Sequence, residues 1–276
     1  MSDLTFIKMH GLGNDFVILD STKNQYTISK KYIQLIADRK FGIGCDQVIE
    51  MKHSEKEDIF MKIYNSDGSE AESCGNAARC VAGLLFASAP KKEVTIETIV
   101  GVLKAESEKN GNIKVDMGKP KFFWKEIPLK TNKNEINFEK LSLKNGFAIN
   151  VGNPHIVFFT SDLKTLNIQK IGPIIENDPL FPAKVNVEIC EVINKNKIRT
   201  KVWERGVGKT LACGSGACAS LVAACKLGLT NPKAEVILDG GSLNITWNIN
   251  SNAHVIMSGP IAVSFLGDLG SLGFEK

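Results

Sequence analysis

The chain has no apolar stretch long enough to cross a bilayer. Its longest runs from about Cys80 to Ala89, well short of the roughly 20 residues a spanning helix needs. Its first residues, Met1-Ser2-Asp3-Leu4, carry neither a basic segment nor an apolar one. No secretory leader is therefore expected, and the cytoplasm is the expected location. There is no run of five like charges, and 34 Lys and Arg against 30 Asp and Glu leave a formal charge of only +4. Neither a nucleic acid nor a membrane surface is an expected partner. The seven cysteines (Cys45, Cys74, Cys80, Cys190, Cys213, Cys218 and Cys225) are odd in number and contain no Cys-x-x-Cys pair. A secreted disulfide framework and a zinc site are thereby disfavoured. A hydrophobic content of 43% and a charged content of 23% lie in the ordinary globular range and support a full core.

What the chain does have is a repeat. Cys213-Gly214 lies 139 positions after Cys74-Gly75, and the same offset carries Asn14 onto Asn153, Gln47 onto Asn186, and Tyr64-Asn65 onto Trp203-Glu204. It also carries Leu35-Ile36 onto Ile174-Ile175 and Ile59–Ile63 onto Ile198–Val202, with no gap needed between residues 14 and 75. Polar and apolar positions align together, which marks two homologous halves. Gly118-Lys119-Pro120 reads as their junction and Gly259-Pro260 as the matching stop. The expected division is 1–118 for the half carrying Cys74 and 119–260 for the half carrying Cys213. The tail 261–276 is expected to return to the first half.

Strands are expected over 57–64 and its copy 198–203, and over 94–99, 111–117, 235–238 and 242–248. Ser29 starts an expected helix with Ile33, Ile36 and Ala37 on one face and a stop at Gly42. Two further helices open at Cys74 and Cys213, run to about Pro90 and Gly228, and are apolar on almost every face, Arg79 and Lys226 excepted. A helix apolar all round is a buried one. The expected class is α+β: two pseudo-symmetric halves, each a mixed or antiparallel sheet wrapped around a central buried helix.

The helix starts, Cys-Gly-Asn and Cys-Gly-Ser-Gly, carry the chemistry. First-turn amides are unpaired, glycine permits close approach, and the dipole adds positive charge, which together make a site for a carboxylate or phosphate. A cysteine there is expected to have a depressed pKa. Two halves related by a pseudo-twofold axis would bring two such cysteines to opposite sides of one carbon, in a cleft between the halves. A thiolate taking an α-proton from one face while a thiol delivers one to the other is stereoinversion, and it requires no prosthetic group. Thiols so placed could also oxidise to a Cys74–Cys213 disulfide. Read alone, either cysteine could simply be a core residue, as Cys45, Cys80, Cys190, Cys218 and Cys225 are expected to be.

Several segments resemble motifs of the diaminopimelate epimerase family, in its order and along the whole chain. They are Met9–Phe16 (MHGLGNDF), Gly42–Gln47 (GIGCDQ), Tyr64–Glu70 (YNSDGSE), Gly152–His155 (GNPH) and Trp203–Gly206 (WERG), with the two cysteine motifs. The resemblance implies conversion of LL-diaminopimelate to the meso form, for lysine and peptidoglycan synthesis, without a cofactor. It implies Cys74 and Cys213 as proton donor and acceptor, and Gly75-Asn76 and Gly214-Ser215 as holders of the reacting carboxylate. Asn14, Gln47, Asn65, Asn153, Asn186, Glu204 and Arg205 would hold the rest of the amino-acid substrate, and His155 and Glu204 would tune the thiols. Arg205 suits a carboxylate as a rigid two-pronged donor, and asparagines add donors and acceptors without charge. Ala77 stands where the family usually has glycine, which would narrow the approach to the first helix start. A homodimer is an assembly the sequence allows.

Other readings use the same residues. Proline and hydroxyproline racemases resemble this family but commonly carry histidine after the first Cys-Gly, where this chain has Asn76. A histidine racemase of the same fold could retain both thiols. A hydrolase using Cys213 with His155 would leave Cys74 unexplained, and a binding module would need neither thiol.

Overall fold

The expected strands form in the computed structural model with boundaries moved by one or two residues. The structure describes residues 5–22, 28–133, 136–249 and 252–270. Met1–Leu4 and residues 271–276 of the expected tail lie outside the described residues.

In chain order the elements are β1 (Thr5–Gly11), β2 (Asn14–Asp20), α1 (Lys30–Ala37), β3 (Gln47–Lys52), β4 (Ile59–Asn65), β5 (Glu70–Ala71), α2 (Gly75–Ser88), β6 (Glu93–Thr98), β7 (Gly101–Ser107) and β8 (Ile113–Asp116). Next come β9 (Ile136–Phe138) and, after a 3-10 turn at Glu139–Leu141, β10 (Leu143–Asn150), β11 (Pro154–Phe159), α3 (Ile168–Glu176), β12 (Asn186–Asn194), β13 (Lys197–Glu204) and β14 (Gly208–Lys209). Then follow α4 (Gly214–Lys226), β15 (Lys233–Leu238), β16 (Gly241–Thr246), β17 (Ile256–Gly259) and β18 (Ala262–Asp268). The chain divides into two compact units, Met1–Val115 with Gly259–Lys276, and Asp116–Ser258.

In the first unit, β1 pairs antiparallel with both β18 and β2. Next, β2 runs parallel to β3, β3 antiparallel to β4, β4 parallel to β6, and β6 antiparallel to β7. The second unit repeats this order through β10, β11, β12, β13, β15 and β16. The register repeats too. Phe16 faces Gln47 and Val48 faces Tyr64 in the first unit, while His155 faces Asn186 and Val187 faces Trp203 in the second. Each of these residues lies 139 positions from its counterpart. Slipping a strand by one residue would turn its apolar set to the other face, so a shared register means a shared packing plan.

Each sheet packs on its cysteine helix, α2 against β1, β2, β6 and β7, and α4 against β10–β13, β15 and β16. Ala77, Ala78, Cys80, Val81 and Ala82 of α2 are wholly buried, as are Ala217, Cys218, Ala219, Leu221 and Val222 of α4. These mostly small side chains let strands close on the helix from several sides. Burial all round holds for α4 up to Cys225, but α2 is buried only through Ala82, and its last two turns reach the surface. Arg79, an exception to the apolar pattern, is itself fully buried.

The smaller helices cover the outer faces. Ser29 caps α1, its hydroxyl accepting from Tyr32 N, and Ile33, Ile36 and Ala37 pack on Phe6, Val17 and Val48. The helix ends at Ala37, short of Gly42, because Asp38 turns extended and accepts from the amides of Lys40, Phe41 and Gly42. In the second unit α3 buries Ile168, Ile171 and Ile175 against Ile156, Phe158, Val187 and Ile189.

Candidate active site

In both units the polar residues singled out in the sequence sit at one end of the sheet. Asn14 opens β2, Gln47 opens β3 and Asn65 closes β4, with Gln47 directly opposite Asn65. In the second unit Asn153 precedes β11, Asn186 opens β12 and Glu204 closes β13. Asn14 is placed by a tight turn. Leu12 and Gly13 both have positive φ, 58° and 87°, as a two-residue hairpin whose twist matches its strands requires.

Each cysteine is the N-cap of its helix. Cys74 Sγ accepts from Ala77 N at 3.5 Å, and Cys213 Sγ accepts from Gly216 N at 3.4 Å. A sulfur thus takes the place usually filled by a serine or aspartate oxygen. The amides of Gly75-Asn76 and Gly214-Ser215 lie in the same first turns, where backbone donors lack partners within the helix.

Around Cys74, Asn14 Oδ1 lies 3.8 Å from the sulfur and accepts from Asn76 Nδ2 at 3.0 Å. Asn14 Nδ2 donates to Asp46 at 2.9 Å, and Arg39 joins Asp46 to Asp15, with Lys8 also on Asp15. Gln47 Nε2 donates to Asn65 Oδ1, and Asn65 Nδ2 to Ser69 Oγ, both at 3.0 Å. Arg79 from α2 packs beneath Gly11, where an added Cβ would stand 2.7 Å from the guanidinium. That close approach accounts for the glycine in this motif. Ala77 is wholly buried, and its amide is the donor to Cys74 Sγ.

Around Cys213 the chemistry differs. His155 Nδ1 lies 2.7 Å from Glu188 Oε1 and His155 Nε2 lies 2.7 Å from Asn153 Oδ1, with His155 and Glu188 both fully buried. Glu204 accepts a hydrogen bond from the Thr210 hydroxyl. Asn186 Nδ2 donates to Pro154 O at 2.8 Å, and its Oδ1 accepts from Arg205 N at 2.9 Å. The Arg205 guanidinium reaches Ala183 O at 3.2 Å. Ser215 Oγ lies 3.4 Å from the Cys213 sulfur.

The thiol expected to be acidified by its helix is not. Burial pushes Cys213 well above the ordinary thiol value, and the charges of Glu204 and Glu188 push it further. The contacts from Ser215 and Gly216 N lower it only in part. Desolvation of a thiolate at 4% exposure outweighs the dipole of one helix turn.

Each unit thus gathers its share of the residues read from the sequence. Asp15, Arg39, Asp46 and Glu188 were missed. Asp15 and Asp46 lie within the quoted motifs, and a glutamate inside the buried run Val187–Cys190 is itself a signal that its charge has a partner.

The profile of the family described as diaminopimelate epimerase matches residues 6–123 and again residues 147–263. The chain belongs to the diaminopimelate epimerase family. It is 43% identical to the diaminopimelate epimerase of Rhodospirillum centenum, over 96% of this chain and 91% of that one. It is 45% identical to that of Carboxydothermus hydrogenoformans, over 96% and 99%. Among solved structures it resembles a hydroxyproline epimerase from Agrobacterium vitis (TM-score 0.68, 15% identity, 96% and 91% covered). It also resembles a PhzF-family phenazine biosynthesis protein from Bacillus anthracis (TM-score 0.69, 16% identity, 97% and 99% covered). At such identities these structures establish the fold, the two-halved α+β architecture, and nothing about substrate. Among the described residues, no helix is long and apolar enough to cross a membrane.

Proposed function

We propose that the chain interconverts LL- and meso-diaminopimelate, with Cys74 and Cys213 as the paired acid and base. The observation that carries the reading is the repeated N-cap: each unit places a cysteine sulfur on the first turn of a buried helix, at equivalent positions, in a chain of this family. In the proposed reaction both thiols meet the α-carbon of one substrate molecule from opposite faces. The thiolate of one takes the α-proton, forming an S–H bond as the C–H bond breaks. The thiol of the other gives its proton to the opposite face, so the product leaves with the configuration inverted and the two sulfurs exchanged in protonation. First-turn amides of Gly75-Asn76 and Gly214-Ser215 receive the charge that grows on the carboxylate.

Asn14, Gln47, Asn65, Asn153, Asn186, Glu204 and Arg205 are proposed to hold the rest of the substrate, its second ammonium and carboxylate included. His155 and Glu204 act on the Cys213 thiol. The reaction requires no cofactor, serves lysine and peptidoglycan synthesis, and belongs in the cytoplasm. A homodimer is compatible with it, and no nucleic acid takes part.

Deuterium uptake at the α-carbon in D2O, for LL- and meso-diaminopimelate, tests the reading in wild type and in Cys74→Ala and Cys213→Ala. Uptake with inversion in wild type, abolished in both variants, is expected. Exchange with inversion that survives in either variant would remove that thiol from the mechanism, and no exchange in wild type would remove diaminopimelate as the substrate.

A further inference from the structure

Glu188 is buried at 0% exposure, where a charged side chain is rare unless paired. Asn153 Oδ1 can only accept, so His155 Nε2 carries a proton. One further proton is then shared between His155 Nδ1 and Glu188 Oε1, 2.7 Å apart. The second oxygen, Oε2, is buried with no hydrogen-bond partner among the described residues, a costly arrangement for a carboxylate. The first oxygen lies against the start of α4: a Cβ at Gly216 would stand 2.8 Å from Glu188 Oε1 and 3.4 Å from Cys213 Sγ. The carboxylate fills the space that this glycine leaves beside the thiol.

The first unit shows that the fold does not need this pair. At the positions equivalent to His155, Glu188 and Gly216 it has Phe16, Ile49 and Ala77, all at 0% exposure and in the same sheet register. Apolar residues of similar volume commonly replace a buried ion pair without loss of stability. The second unit therefore keeps an ionisable pair where its copy packs hydrocarbon, and that pair sits next to Cys213. Burial raises the Glu188 carboxyl above its ordinary value, and the charge and hydrogen bond of His155 offset this only in part.

We propose that Glu188 is a positioning residue of the Cys213 half-site, which orients the His155 ring through Nδ1 and turns the negative end of that hydrogen-bonded pair towards Cys213, so that the resting enzyme holds its proton on this sulfur. The inference rests on the two-thiol reading for its catalytic meaning. The ionisable groups that act on the sulfur are Glu204 on β13 and Glu188 on β12, and Glu188 in turn meets His155 on β11 and Cys190 on β12. Of these, Glu188 and Glu204 both disfavour a thiolate. The enzyme form with Cys213 as thiol delivers its proton from the second unit, so the bias decides which stereoisomer meets a ready enzyme.

The test needs no substrate. Cys213 is titrated through the Cβ chemical shift of isotopically labelled cysteine, assigned with Cys213→Ser. Wild type is compared with Glu188→Gln and with the double variant His155→Phe, Glu188→Ile, which copies the first unit. Wild type is expected to titrate above an ordinary thiol. Both variants are expected to titrate lower by about one pH unit, equivalent to a tenfold larger thiolate fraction below the midpoint. The pH profile of kcat/KM for epimerisation should move the same way. A wild-type midpoint at or below that of an ordinary cysteine would overturn the proposal, even if neither variant folds. So would an unchanged midpoint in both variants. A shifted midpoint in a protein without epimerase activity would uphold the role of Glu188 at Cys213 and overturn only the reaction.

Discussion

Asp15 stands beside Asn14, and its removal should be felt in both stability and substrate binding. Its two oxygens accept from Arg39 at 3.0 and 2.7 Å, and one of them accepts from Lys8 at 2.7 Å. Burial raises the carboxyl pKa, but the hydrogen bonds from Arg39 and Lys8 outweigh it and hold the group at about 2, against 3.8 unperturbed. A depressed acid favours the folded state only while ionised. Its contribution is complete above the unfolded value and is lost as the pH falls towards the folded one. The shift corresponds to about 2 kcal/mol at pH 7 and to about half of that at pH 3. Asp15→Asn keeps the shape and removes the charge. It also strips Lys8, 7% exposed, of its counter-ion, leaving it the Gly44 carbonyl. Urea unfolding followed by circular dichroism should show the variant less stable by about 2 to 4 kcal/mol at pH 7. The gap should narrow by roughly 1 kcal/mol at pH 3. A gap of equal size at both pH values would refute the electrostatic argument and reduce Asp15 to packing.

Other expectations follow from single contacts. Asp46→Ala removes the acceptor of Asn14 Nδ2 and should raise KM about tenfold with a smaller effect on kcat, the cost of about one charge-assisted hydrogen bond, as steady-state kinetics would show. Cys45, Cys80 and Cys190 are pushed up to about 12 by burial, so native protein at pH 8 should leave all three unalkylated in a peptide map. Ile36→Ala and Ile175→Ala empty equivalent fully buried sites in the two units. Each should cost about 2 to 5 kcal/mol in denaturant titration. Trp203→Phe removes the indole donor to Glu176 Oε2 at 2.8 Å, and a loss of about 1 to 3 kcal/mol is expected in the same measurement.

The repeat was legible because an offset in sequence needs no coordinates. It reappears as register, with Gln47 and Asn186 opposite their partners on equivalent strands. The cysteine helices were legible from their composition, and Ser29 from its capping chemistry. The extent of burial was less so: α2 and α4 look alike as strings, yet α2 surfaces after Ala82 while α4 stays inside to Cys225. Periodicity reports which face is apolar, and how much neighbouring structure covers that face is a separate matter. Asp46 lies in a motif beside Gln47, but only the fold sets it against Asn14, 32 residues away in the chain.

The amino-acid sequence alone determined the two-halved α+β plan, the paired cysteines at helix starts and the amide side chains that recur at the same offset as those cysteines. These follow from local chemistry and from spacing. Tertiary structure decided the electrostatics. It placed Glu188 and Glu204 beside one thiol and buried that thiol, so that a helix start expected to acidify Cys213 is outweighed. Desolvation depends on everything that surrounds a group, and no stretch of sequence around Cys213 states what strands β12 and β13 bring to it.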